Sequence, residues 1–121
     1  MQDATAMAER YLATFNETDP GQRLALIEAL YTADGTYTDP NADLRGPTQI
    51  DAFVAQTQET FPGYRFTVAS QIDAHHNQAR FQWHGGPPDE PDRYVGFDVI
   101  VAEDGRISSV YGFMDRAPAG Q

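Results

Sequence analysis

Apolar residues recur at intervals of three and four as far as Phe61, then alternate with polar ones, so the chain reads as a helical first half followed by strands. From Asp3 to about Thr18, the residues Met7, Tyr11, Leu12 and Phe15 fall on one helical face. Asp19-Pro20-Gly21 breaks that helix and starts the next, with aspartate as cap and proline in the first turn. The second helix, Gly21 to Thr32, turns Leu24, Ile27, Leu30 and Tyr31 inward. A tight turn at Asp34-Gly35 leads into a short strand, Gly35 to Asp39. There Tyr37 and Asp39 share one face and Thr36 and Thr38 the other. Pro40 ends the ladder because it has no N–H to donate. Gly46-Pro47-Thr48 opens a third helix with Ile50, Phe53, Val54 and Thr57 as its inner stripe, ending near Phe61-Pro62-Gly63.

Strands follow at Tyr64 to Ile72, Ala79 to His84, Tyr94 to Val101 and Arg106 to Asp115. Turns fall at His75-His76-Asn77 and Glu103-Asp104-Gly105, and Gly85 to Pro91 is a loop by composition. This order predicts an α+β, cone-shaped fold: three N-terminal helices packed on the concave face of a strongly curved, mostly antiparallel sheet. Such a cone leaves a cavity lined from both layers, where a small hydrophobic ligand would bind.

Composition narrows the chemistry. The 121 residues suit a single domain, 1–121, with a frayed tail over 116–121. Neither cysteine nor lysine occurs, which excludes thiol nucleophiles, thiolate metal sites and lysine Schiff bases. The formal charge of −10 argues against nucleic acid and anionic membranes as partners. No apolar run of spanning length and no leader pattern are found, so a cytoplasmic protein is expected. No glycine-rich phosphate motif follows a strand, and no cofactor is expected.

Several side chains are candidates for function. Tyr37 and Asp39 at a strand end could form an acid/base site or simply cap a turn. Asp98 sits among Phe97, Val99, Ile100 and Val101, so if buried it needs a partner or a proton. His84 shares a strand face with Arg80 and Gln82, opposite Phe81 and Trp83, and one of those faces must meet the pocket. Arg80 could pair with a substrate carboxylate or with Asp73 or Asp98, the internal ion pair being the expected one. Adjacent His75 and His76 make a poor metal pair. Tyr37, Phe15, Phe53, Phe66, Trp83, His84 and Phe113 are taken as the pocket wall.

Taken together, the stretches Leu30 to Gly35, Tyr37-Thr38-Asp39-Pro40, Leu44-Arg45-Gly46, Phe61-Pro62-Gly63, Ala79 to Trp83 and Gly96-Phe97-Asp98 resemble the nuclear transport factor 2-like superfamily, in its SnoaL-like branch. The resemblance spans about Ala4 to Asp115. It implies the cone-shaped fold and a homodimer, often formed through the open sheet face. Members include isomerases, cyclases, dehydratases, epoxide hydrolases and non-enzymatic binding modules. In the ketosteroid isomerase pattern, a strand-end carboxylate followed by proline is the base, and Asp39-Pro40 matches it. A tyrosine of the first helix and a protonated aspartate on a central strand hold the oxyanion, positions that Tyr11 and Asp98 resemble. SnoaL-like cyclases use a His and an Asp, for which His84 or His76 and Asp98 are the matches. The epoxide hydrolases need a carboxylate near the end of the last strand, where this chain has Gly112 and Phe113. The implied catalytic set is Asp39, Tyr11 and Asp98. The implied function is cofactor-free proton transfer on a small apolar carbonyl compound, with a non-catalytic binding or dimerisation module as the alternative.

Overall fold

The computed structural model describes residues 3–118. Three helices, α1 (Ala4–Asn16), α2 (Pro20–Leu30) and α3 (Pro47–Thr60), pack on one open sheet of seven strands. The strands are β1 (Tyr31–Asp39), β2 (Ala42–Arg45), β3 (Arg65–Val68), β4 (Asp73–His75), β5 (Gln78–Gly86), β6 (Tyr94–Glu103) and β7 (Arg106–Arg116). Their order is β2-β1-β7-β6-β5-β3, with β4 also on β5, and β1 and β7 are the parallel pair. The architecture is therefore the expected α+β one. The register shifts in β1–β7 and in β6–β7, where one strand carries residues that its partner does not match, are irregularities of the kind that bend and twist a sheet.

Local signals account for the helix boundaries. The Asp19 carboxylate accepts from the Gln22 N–H at 2.8 Å, and Pro20 stands in the first turn of α2. Gly46, at φ 87°, supplies the left-handed residue that lets the chain enter α3. The core joins Met7, Ala8, Tyr11, Leu12 and Phe15 of α1 to Ile27 and Leu30 of α2 and to Ile50 and Val54 of α3. These pack on Tyr31, Tyr37, Phe81, Ile100, Ile107 and Val110 of the sheet.

Some expected boundaries move, each for a tertiary reason. Tyr31 opens β1 instead of closing α2, because it pairs with Ile107 across the parallel ladder. Asp34-Gly35 makes no tight turn: the strand runs through it, and the slip between Tyr31 and Thr36 absorbs the extra length. The strand expected from Tyr64 to Ile72 stops at Val68, and beyond it the short β4 takes up the pairing with β5 from Asp73. At the break, Ala69 N–H donates to the Gln82 carbonyl and Gln82 N–H to the Ser70 hydroxyl. Gly85 and Gly86 belong to β5, not to the loop. Of the tail expected to fray over 116–121, Arg116 instead ends β7 and pairs with Asp92 at 3.0 Å; residues 119–121 lie outside the described residues.

Two polar clasps hold the cavity's walls. Asn16 makes paired bonds with the Phe66 backbone, at 2.9 and 2.8 Å, which ties edge strand β3 to α1. Buried Arg23 donates to Asp51 and Gln58, both at 2.8 Å, and the Gln58 amide donates to the carbonyls of Phe15, in the last turn of α1, and of Glu17, which caps it. No hydrophobic stripe reveals this role for Arg23. Arg23→Met should lower unfolding free energy in urea by about 2 kcal/mol, less than for a fully buried ion pair because Asp51 keeps some contact with water. Unchanged stability would mean that the clasp contributes nothing.

Candidate active site

A cavity of about 340 Å³ lies between the helices and the sheet. That is within the range of small-molecule sites. Phe15, Tyr37, Phe53, Phe66 and Trp83 line it as expected, and Tyr11, Asp39 and Asp98 all reach it. Phe61, Tyr64 and Tyr94, which the sequence did not mark, add a second aromatic group with ring centroids 5.1 to 6.0 Å apart.

One expected wall residue needs correction, and one expected wall residue turns its ring away. His84 does not line the cavity, because strand alternation puts Phe81 and Trp83 on the inner face and leaves His84 with Arg80 and Gln82 on the other. Phe113 borders the cavity, yet its ring stacks on Phe97 at 4.8 Å and is half exposed. Phe97 directly precedes Asp98 on β6, so that stack lies on the opposite face of the sheet from the carboxylate. Arg80 pairs with Asp73 at 3.7 Å, exposed, and not with Asp98. His75 and His76 are exposed at the β4–β5 turn. Among the described residues no cluster of three or more His, Asp or Glu is placed to hold a metal.

The polar end of the cavity is built by register. Asp98 on β6 faces Gly112 on β7, and the pairing of Thr38 with Tyr111 brings Asp39 to the same row. A Cβ at position 112 would stand 3.0 Å from Asp98 Oδ1 and 3.2 Å from the Asp39 Cβ. The missing side chain of Gly112 is thus what lets two carboxylates from separate strands approach one another. At the sequence level Gly112 only argued against one activity; its spatial role was invisible. Gly112→Ala should lower unfolding free energy in urea by about 1–2 kcal/mol, because Asp98 Oδ1 is pinned and the Asp39 Cβ belongs to the backbone frame. A variant as stable as the parent would show that the row has slack.

Asp98 is 4% exposed. The Tyr11 hydroxyl donates to its Oδ2 at 2.6 Å, and the Trp83 indole N–H donates to its Oδ1 at 3.0 Å. Burial pushes the Asp98 carboxyl up to about 6; the bonds from Tyr11 and Trp83 pull it back, and the charge of Asp39 adds to the rise. Asp39 is held by the Tyr37 hydroxyl on Oδ2 and the Asn41 N–H on Oδ1, both at 2.7 Å. Burial, reinforced by the adjacent carboxylates, keeps the Tyr11 and Tyr37 phenols well above their ordinary value, so both serve as donors across the neutral range. Among the described residues, Asp39 and Asp98 are the charged groups that line the cavity, and no arginine or histidine does. The arrangement offers one carboxylate held by two donors, and beside it a second carboxyl that burial raises to about 6.

The profile of the SnoaL-like domain matches residues 8–110. The fold is similar to that of a proposed isomerase of the SnoaL-like family from Agrobacterium tumefaciens, at 36% identity and a TM-score of 0.90, over 96% of this chain and 100% of the other. A proposed ketosteroid isomerase from Kribbella flavida matches at 25% identity and a TM-score of 0.70, over 96% of this chain and 80% of the other. A proposed SnoaL-like polyketide cyclase from Jannaschia aligns at 18% identity and a TM-score of 0.71, over 95% and 89% respectively; at that identity the likeness concerns the fold. No match was found among curated proteins.

Proposed function

The chain belongs to the SnoaL-like domain family, and from that premise we propose that it is a cofactor-free acid/base enzyme, of isomerase, cyclase or dehydratase type, acting on a small and largely apolar carbonyl compound. The observation that carries this reading is the row Asp39–Gly112–Asp98, which sets two carboxyls at the polar end of an aromatic cavity. Asp39, oriented by Tyr37 and Asn41, takes a proton from the carbon next to the carbonyl. The electron pair of that C–H bond moves toward the carbonyl oxygen, where Tyr11 and protonated Asp98 stabilise the developing charge. Asp39 then returns the proton at the same or a neighbouring carbon. Apolar walls hold the rest of the substrate and exclude water. The lack of a cation among the described lining residues favours a substrate without a carboxylate or phosphate.

The test is deuterium incorporation from D2O into a panel of enolisable aryl ketones, followed by NMR with and without the protein. Incorporation above the buffer rate that disappears in Asp39→Asn supports the reading. Ketones that bind but exchange no faster than in buffer would replace it with a ligand-binding protein of the same fold.

A further inference from the structure

The indole of Trp83 is placed with more care than a wall residue needs. Its cross-strand neighbour is Gly96, where a Cβ would stand 2.5 Å from the indole Cζ2 and 2.4 Å from the Phe113 carbonyl oxygen. Only a residue without a side chain lets the ring lie across β6. Phe66 braces the ring edge-on, with centroids 5.9 Å apart. In this position the indole N–H reaches diagonally to Asp98 Oδ1 at 3.0 Å. An indole nitrogen donates and never accepts. Oδ1 is therefore held as an acceptor whatever the state of the carboxyl. In a neutral carboxyl the carbonyl oxygen is the better acceptor, so the proton belongs on the other oxygen.

We propose that Trp83 is a positioning residue that fixes where the acid proton of Asp98 resides: it holds Oδ1 as the carbonyl oxygen, so that the proton is carried on Oδ2 beside the Tyr11 hydroxyl. The 2.6 Å line between Oδ2 and the Tyr11 oxygen has room for one hydrogen. With Asp98 ionised, the Tyr11 hydrogen fills it. Once Asp98 is protonated there are two hydrogens for that line, and one turns toward an acceptor in the cavity that both residues border. The pair thus offers a donor to a ligand oxygen only in its protonated form. Facing Asp98 are Tyr11 from α1, Tyr31, Tyr37 and Asp39 from β1, Trp83 from β5 and Gly112 from β7. The three tyrosines are held above their ordinary value, by burial first, and keep their protons throughout the neutral range. The benefit to turnover rests on the acid/base reading above; the placement of the proton does not.

Trp83 is the sole tryptophan, so its indole N–H resonance needs no assignment. In the parent protein that resonance should move with pH along a single curve whose midpoint equals that of the Asp98 carboxyl carbon. In Trp83→Phe, which removes a bond to the charged form, the Asp98 midpoint should rise by about one pH unit or more. The affinity of 2-acetonaphthone, a neutral acceptor-only probe, should fall about tenfold per pH unit above the Asp98 midpoint, and in Trp83→Phe this fall should begin higher by the same interval. An indole resonance that is flat through the Asp98 titration, or an unmoved midpoint in a folded Trp83→Phe, overturns the proposal. Should the variant fail to fold, the indole titration of the parent decides alone. Intact coupling with no deuterium exchange would overturn the enzyme and leave this inference standing.

Discussion

Asp39→Asn is expected to slow deuterium exchange into a bound ketone by about 10²–10⁴-fold, the usual contribution of a positioned general base. Its fold and ligand affinity should stay close to those of the parent. The amide has the same shape as the carboxylate, its oxygen can still accept from the Asn41 N–H, and its NH₂ can donate to the Tyr37 hydroxyl, which turns round to accept. What the variant lacks is a basic oxygen. A loss of rate with unchanged affinity locates the effect in the proton-transfer step. A rate within a few-fold of the parent would remove Asp39 from the mechanism and direct attention to Asp98. A parallel loss of affinity and melting temperature would mean that Asp39 holds the β1 end together and has not been tested as a base.

The second large effect is on stability, with a direction opposite to that of most acidic residues. In the unfolded chain Asp98 titrates near 3.8, and in the native protein burial first, then the charge of Asp39, raises it to about 6. Below the unfolded value both states hold the proton and ionisation costs nothing. Between the two values the native state binds more protons than the unfolded one, so stability falls as pH rises. Above about 6 the native protein carries the full penalty of a buried carboxylate. A rise of about 2 pH units corresponds to about 3 kcal/mol. Asp98→Asn removes that slope. The variant should match the parent near pH 4 and exceed it at pH 7.5 by about 2–3 kcal/mol, less whatever is lost when the amide turns its oxygen to Trp83 and its NH₂ to Tyr11. Urea unfolding of both proteins at the two pH values checks this, and the comparison cancels the titration of the other carboxylates. A stability difference that does not change with pH would mean that Asp98 titrates alike in both states. A more stable but inactive Asp98→Asn would fit a site kept at the expense of the fold.

The helices, the caps and the shared face of Tyr37 and Asp39 could all be read from the chain, because each depends on residues within a few positions of one another. Period three-to-four marks α1, Asp19-Pro20 marks the start of α2, and two-residue alternation puts the Tyr37 hydroxyl on Asp39. Strand alternation also sorted Phe81 and Trp83 from His84, but could not say which set faced inward; the helices decide that by covering one face. Everything else about the site is a matter of register between distant segments. Tyr11 meets Asp98 across 87 positions, and the β1–β7 pairing joins Thr36 to Ser109 across 73. Gly96 and Gly112 gain their meaning only there, one as the floor under Trp83 and the other as the gap between two carboxylates. Arg23 likewise looks like a surface residue until Asp51 and Gln58 come to meet it from α3. Local periodicity determines which way a side chain points from its own element. The pairing of strands far apart in the chain determines what it meets, because a shift of one residue would place every partner on the other face of the sheet.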